Sequence, residues 1–231
     1  MKILFTTLLF FIFTFSNLIA QNDDYSKWSV RLNATNTFTN ESDPIEGGDL
    51  VMDNSFGFEV GVKYFFSKNL ATEFTLGNSK HTTRIQYADF EQHRYSIGDV
   101  NMTPFQLNFQ YHFVLNHFRP YVGAGINYTF FYVDGEEIAG GVHGGKFDSS
   151  IGFTLQGGVI YDISNRWFVN FDIKQMFIST DMTTYEGSCD TTDKSIQTKT
   201  AIPCPDYQVE EIVNKVDINP LSIGVGIGFK F

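Results

Sequence analysis

The sequence predicts an all-β protein, an eight-stranded antiparallel transmembrane β-barrel, on three observations. Apolar and polar residues alternate with a period of two along eight segments, the connections between segments are alternately short and long, and aromatic residues gather near segment ends. A period of two sorts residues onto the two faces of a strand, whereas a helical face repeats every 3.6 residues. Composition points the same way. The chain has 25 Phe and 11 Tyr but only 18% charged residues, and its mean hydropathy is −0.12. That pairing suits strands whose lipid-facing positions alternate with lumen-facing ones, and it excludes a bundle of apolar helices.

In chain order, Met1-Lys2 is followed by an apolar run from Ile3 to Ile19, then Ala20 and the polar Gln21-Asn22-Asp23-Asp24. One basic residue, an apolar region and a small residue at the junction are the parts of a secretory signal peptide, expected over residues 1–20. Residues 21–231 are then one outer-membrane barrel. Its first apolar column is Trp28-Val30-Leu32-Ala34 and its second Phe56-Phe58-Val60-Val62-Tyr64-Phe66, the latter alternating with Gly57, Glu59, Gly61 and Lys63. The third is Leu70-Thr72-Phe74-Leu76, the fourth Phe105-Leu107-Phe109-Tyr111-Phe113, and the fifth Val122-Ala124-Ile126-Tyr128-Phe130. Ile151-Phe153-Leu155-Val159-Tyr161, Trp167-Val169-Phe171-Ile173 and Leu221-Ile223-Val225-Ile227-Phe229-Phe231 complete the set. Each segment is about 10 to 14 residues long, enough for a tilted strand to cross a bilayer and longer than strands of soluble sandwiches.

The turns at Ser67-Lys68-Asn69, Leu115 to Phe118 and Asp162 to Asn165 are tight. Thr39 to Ser55, Lys80 to Asp99, Val133 to Asp148 and Ser179 to Asn214 read as four long, polar, extracellular loops. Outer-membrane barrels sort their connections in this way when both termini are periplasmic. Trp28, Tyr64, Phe66, Tyr111, Phe113, Tyr161 and Trp167 sit near strand ends as interfacial belts do. A wall in lipid must pair every backbone group, so closure into a barrel follows.

The formal net charge of −10, from 26 acidic and 16 basic residues, argues against nucleic acid as a partner. Glu41, Asp43, Glu46, Asp49 and Asp53 read as a solvated acidic loop rather than a cation site. Gly224-Val-Gly226-Ile-Gly228 lacks the following helix that a dinucleotide fingerprint needs; inward glycines that leave room in a small barrel are the better account. His81, His93, His117 and His143 fall in loops or turns without metal-ligand spacing and read as surface residues. No nucleophile–base constellation is apparent. The expectation is a protein that is not an enzyme, with no catalytic residues, metal or cofactor. Cys189 and Cys204 share one exported segment. A disulfide between them would close about 15 residues, worth about 3 kcal/mol on the chain-entropy model.

The columns between the lipid-facing residues carry Arg31, Glu59, Lys63, Glu73, Asp172 and Lys174, along with Asn108, Gln110, His112 and Asn170. Charges of both signs in a narrow interior are expected to pair, since an unpaired buried charge is costly. Two roles stand open: a structural plug, or a selective polar path or proton-linked role. An eight-stranded interior is only just wide enough for side chains, so free ion flow is not expected.

The run Phe105-Gln106-Leu107-Asn108-Phe109-Gln110-Tyr111-His112-Phe113, then Arg119-Pro120-Tyr121-Val122-Gly123-Ala124-Gly125-Ile126-Asn127-Tyr128, resembles the outer membrane protein W (OmpW) family of small Gram-negative barrels. Gly157-Gly158-Val159, Trp167 to Asn170 with Asp172, Asp217 to Pro220 and the glycine-aromatic ending extend that resemblance to Phe231. The resemblance implies a bacterial outer-membrane location in contact with lipid, and passive uptake or binding of small hydrophobic molecules. It carries over no catalytic residues. A different function remains alongside: a non-transporting structural or interaction barrel whose long loops bind a surface partner. Phe229 and Phe231 resemble the C-terminal signal by which barrel-assembly machinery recognises its clients. They would serve equally as lipid-facing residues.

Overall fold

The computed structural model describes residues 26–39, 49–86, 94–134, 142–189 and 207–231. The segment expected as a signal peptide lies outside them. Among the described residues twelve strands run in chain order: β1 (Trp28–Phe38), β2 (Asp49–Met52), β3 (Ser55–Phe65), β4 (Leu70–Gln86), β5 (Arg94–His112) and β6 (Phe118–Asp134), then β7 (Val142–Phe147), β8 (Ser150–Asp162), β9 (Trp167–Phe177), β10 (Ser179–Cys189), β11 (Tyr207–Asp217) and β12 (Leu221–Lys230). Eight of them close an antiparallel barrel in the order β1-β3-β4-β5-β6-β8-β9-β12 and back to β1. The closing ladder runs from Ser29 opposite Lys230 to Phe38 opposite Leu221.

Alternation decides the two faces. Phe56, Phe58, Val60 and Val62 on β3 point outward, and Glu59 and Lys63 between them are buried inside. The same holds on β9, where Val169, Phe171 and Ile173 are outside and Asn170, Asp172 and Lys174 inside.

Short connections define one end of the barrel. Ser67 Oγ accepts from the amides of Asn69 and Leu70, and Ser164 Oγ from those of Arg166 and Trp167, so two turns use the same hydroxyl device. The third is a two-residue hairpin closed by reciprocal Leu115–Phe118 backbone bonds, with Asn116 at φ 51°. Asparagine tolerates that left-handed conformation better than most residues. Around this turn end runs an aromatic belt: Trp28–Tyr64, Tyr64–Phe66, Tyr111–Phe113, Phe118–Tyr161 and Trp167–Phe229 rings pack with centroids 4.8 to 5.1 Å apart.

At the other end the strands run further than the sequence suggests. The β4–β5 ladder continues through Ser79 opposite Met102 as far as Gln86 opposite Arg94, across residues expected to form a loop. Beyond the lipid zone the outward column turns polar, so the marker that reveals the strand stops while the pairing does not. Exposed Lys80 reaches Asp99 at 2.7 Å and Thr82 Oγ1 donates to Asp99 at 2.9 Å, a cross-strand polar set in place of a greasy one. The segment from Ser179 to Asn214 likewise contains β10 and part of β11. Together with β7 these make a separate three-stranded sheet, β11-β10-β7. The hand-over from barrel to sheet is at Ile178 and Asn219. Ile178 N donates to Asn219 Oδ1 at 3.0 Å, Ile218 N to Ile178 O at 3.0 Å, and Asn219 has φ 40°. Strand β2 pairs with the same extended part of β4.

Candidate functional site

The inward columns stack into layers along the lumen. Nearest the turn end, Phe65, His112, Tyr121, Ile160 and Phe168 are buried. The His112 imidazole stacks on Tyr121 with centroids 5.0 Å apart, and Phe65 packs against it at 4.9 Å. Arg119 and Lys230 both reach Asp162, at 3.2 and 2.7 Å, across the mouth of this aromatic floor.

The middle layer gathers all six charged residues picked out from the inward columns. Arg31 comes from β1, Glu59 and Lys63 from β3, Glu73 from β4, and Asp172 and Lys174 from β9. All six are buried. Arg31 is the hub: its guanidinium meets Glu73 twice, at 2.7 and 3.0 Å, Glu59 at 2.8 Å and Asp172 at 3.3 Å. Lys174 pairs with Glu59 and approaches Asp172 at 3.7 Å, while Lys63 has Glu73 at 3.5 Å. Gln110 and Asn33 add amide donors to Glu73 and Asp172 at 2.7 and 3.3 Å. Three cations face three carboxylates, so the layer is neutral. A planar guanidinium with several fixed donors suits a hub that serves three acceptors at once.

The inward glycines make this layer possible. A Cβ on Gly224 would lie 2.5 Å from Asp172 Oδ1, and one on Gly61 would lie 3.1 Å from Arg31 Nε. Gly226 and Gly228 abut Asn33 and Phe168 in the same way. Each glycine gives its side-chain volume to a large residue from another strand.

Above the charges is a shelf of buried amides and hydroxyls, Thr75, Gln106, Asn127, Thr129 and Thr154. Gln106 Nε2 lies 3.5 Å from Met176 Sδ, where the shelf meets an apolar layer. That layer packs Leu50, Met52, Val100, Met102, Phe147, Met176, Ile178, Met182, Val216 and Ile218 together, with Phe131 and Val133 against it. Its residues come from β5 and β9 of the barrel, from β2, β7, β10 and β11 beyond it, and from the junction residues Ile178 and Ile218, so the extra sheet shares one apolar cluster with the barrel.

A cleft of about 290 Å³ opens in the wall beside this layer, lined by Ile126, Ile151, Phe153, Phe177, Ile178 and Asn219 among others. It lies where the β8–β9 ladder ends, at Phe153 opposite Phe177. Ile178 belongs both to the cleft and to the apolar layer.

His81 departs from the expectation of a surface histidine. It is fully buried on the extended part of β4, with Nδ1 2.8 Å from Asp53 O and Nε2 2.9 Å from Ser79 Oγ. The inward column carries it into the lumen once β4 is seen to run past Lys80. His117 is exposed in its turn. Cys204 lies outside the described residues, and with it any Cys189–Cys204 bridge. Phe229 packs against Trp167 at 5.0 Å and against Phe231 at 5.2 Å, and Phe231 N donates to Trp28 O at 2.9 Å.

The apolar layer was not assembled from sequence reasoning, although a signal was present. On β5 the apolar residues of the membrane zone are Phe105, Leu107 and Phe109, but Val100 and Met102 fall on the opposite parity. Met176 on β9 and Ile178 just after it, and Val216 on β11 and Ile218 just after it, do the same relative to their neighbours. A switch of apolar parity along one strand marks the level where the greasy face turns from lipid to lumen.

A family model described as the OmpW family matches residues 26–231. The chain belongs to the OmpW family. It is 31% identical over 211 residues to the uncharacterized outer-membrane protein y4mB of Sinorhizobium fredii, covering 89% of this chain and 80% of that one. Its fold is similar to the crystal structure of OprG from Pseudomonas aeruginosa, with TM-score 0.65, 18% identity, and coverage of 90% of this chain and 97% of that chain. It is also similar to the solid-state NMR structure of AlkL in DMPC lipid bilayers, with TM-score 0.59, 21% identity, and coverage of 93% and 95%. This OmpW-family barrel is thus a bacterial outer-membrane protein, and its outward columns of Phe, Leu, Ile and Val are its lipid-facing wall.

Proposed function

We propose that this OmpW-family barrel admits small hydrophobic molecules from the loop end into the apolar layer and releases them sideways into the membrane through the wall cleft. The observation that carries this reading is the order of the layers. A buried apolar cluster rests on a layer of three cations and three carboxylates, paired across strands, that offers an apolar solute no favourable contact. Straight passage would require an apolar molecule to separate dehydrated ion pairs, whereas Ile178 is the one side chain common to the cluster and the cleft among the described residues. In this reading the turn end and both termini face the periplasm. Phe229 and Phe231 serve assembly before they serve the lipid-facing wall.

The test is uptake into vesicles whose outer leaflet is lipopolysaccharide, which passes apolar solutes slowly. Labelled hydrophobic and hydrophilic solutes are compared with protein-free vesicles. Faster uptake of hydrophobic solutes alone is the expected result. No acceleration of either would favour the non-transporting barrel, with the filled lumen acting only to stiffen the wall; acceleration of both would indicate a polar pore.

A further inference from the structure

The chain has five methionines. Met52, Met102, Met176 and Met182 arrive from β2, β5, β9 and β10, and all four are buried in the apolar layer at the loop end. The lipid-facing wall, by contrast, is built from exposed Phe, Leu, Ile, Val and a few Tyr and Trp, with no exposed methionine among the described residues. Among the described residues the greasy outer surface thus uses no thioether, whereas the buried apolar cluster of the loop end mixes four of them with Leu50, Val100, Phe147, Ile178, Val216 and Ile218.

Physical differences between the side chains give this partition a meaning. The described members of the layer are buried against one another, so a solute that sits among them must displace side chains. Methionine is unbranched, turns about three bonds and carries a polarizable sulfur, which lets it refill irregular space. Valine and isoleucine are stiff at χ1 and cannot. Sulfur also makes favourable contacts at ring edges. Phe131 and Phe147 bound the same layer with ring centroids 5.8 Å apart and planes tilted by 34°, adding two aromatic faces.

We propose that Met52, Met102, Met176 and Met182 form an adaptable, polarizable binding surface that prefers ring-bearing aromatic solutes to saturated ones of the same carbon skeleton. This rests on the uptake reading above and names its substrate class. Naphthalene and decalin are the probes, compared at equal lipid-phase concentration. Both are bulky and apolar, and only one offers π edges to sulfur.

The full chain, labelled with [methyl-13C]methionine and held in lipid nanodiscs, is titrated with each probe. Naphthalene is expected to shift the four methyl resonances saturably, at about fivefold lower concentration than decalin, the ratio that a pair of ordinary sulfur–ring contacts produces. In lipopolysaccharide vesicles the variant M52L/M102L/M176L/M182L, close to wild type in side-chain volume, should keep decalin uptake and lose the preference for naphthalene. Uptake of both probes by wild type with no methyl shift would overturn the site. Methyl shifts with equal affinity for the two probes would overturn the selectivity. An equal fall in both uptakes in a variant that still migrates as a folded barrel would show a merely structural role. Absence of both shift and uptake in wild type would remove the uptake reading itself, and this inference with it. The single variant Met176→Leu, which alters the residue nearest Gln106, keeps the test available if the quadruple variant fails to fold; it should reduce the preference about twofold.

Discussion

On β9, Lys174 and Met176 are successive inward residues, yet they belong to layers built by opposite rules. Lys174 sits among fixed partners, each charge held by at least one counter-charge from another strand. Met176 sits among side chains that touch without directional bonds, apart from its contact with Gln106. The charged layer tolerates little change, because each member offsets the dehydration of its neighbours. The apolar layer tolerates change of shape as long as volume is kept. One lumen therefore combines a rigid floor and a deformable ceiling, and the boundary between them is a single step along the strand.

The sharpest way to break that contrast is to remove the hub. Arg31→Met would leave Glu59, Glu73 and Asp172 facing one another with only the two lysines. Breaking a buried pair by deleting one partner costs about 3–5 kcal/mol, and unfolding by guanidinium in vesicles should show a loss of at least that size. Lys63→Met should cost less, since Lys63 has one carboxylate at 3.5 Å where Arg31 has three within 3.3 Å. Replacing all six charged residues with small neutral ones should be less damaging than the single Arg31 change and should give a steady current in planar bilayers. A silent bilayer would mean that the amide shelf or the aromatic floor closes the lumen without help from the charges.

A second comparison sets the inside of the wall against the outside. Glu59 and Val60 are adjacent in β3, and only the carboxylate is placed where partners exist. Val60→Arg or Leu107→Arg puts a cation into lipid with none. The expected cost is about 2–4 kcal/mol near the bilayer midplane, read from folding into bilayers of defined thickness. A neutral result at both positions would reverse the assignment of the faces.

How legible this was from sequence follows from the same contrast. Where one face met lipid and the other a polar lumen, as from Phe56 to Phe66, alternation in residue type revealed strand, register and side together. The six charged residues could be placed in the lumen from that parity alone. Past Lys80, Asp99 and Ile178 the outer face meets water, so both faces become mixed and the strands lose their signature. Consequently β2, β7, β10 and β11, the buried His81 and the methionine cluster escaped notice. Composition could not distinguish their strand pairing from a polar loop, because pairing there rests on backbone bonds and on cross-strand contacts such as Lys80 to Asp99.

Gly224→Ala tests the space rather than the charge of the ion-paired layer. The added carbon would arrive 2.5 Å from Asp172 Oδ1, and Asp172 is tied to Arg31, Asn33 and Lys174. Overpacking of a filled interior costs about 1–3 kcal/mol, and the same substitution at Gly157, where the nearest atom is 3.8 Å away, should cost clearly less. Equal losses at both positions would show that strand propensity, not crowding of the network, governs these glycines.

The smallest effect is expected from an ion pair that looks equally good on distance. Lys80 Nζ lies 2.7 Å from Asp99 Oδ2, and Arg31 Nε lies 2.7 Å from Glu73 Oε1. Their surroundings differ: the Lys80 side chain is 52% exposed, while those of Arg31 and Glu73 are 2% and 0%. In water the Lys80–Asp99 attraction is weak and screened by salt, and holding two long side chains together offsets much of it. Lys80→Ala should therefore leave guanidinium unfolding in vesicles at the wild-type midpoint in high salt, with at most a slight shift in low salt. Losing Lys80 also leaves no dehydrated charge behind, since Asp99 stays solvated and keeps its bond from Thr82. A loss comparable to that of Arg31→Met would mean that the β4–β5 extension is held by this contact, and that the loop end is far less tolerant of change than its apolar packing implies.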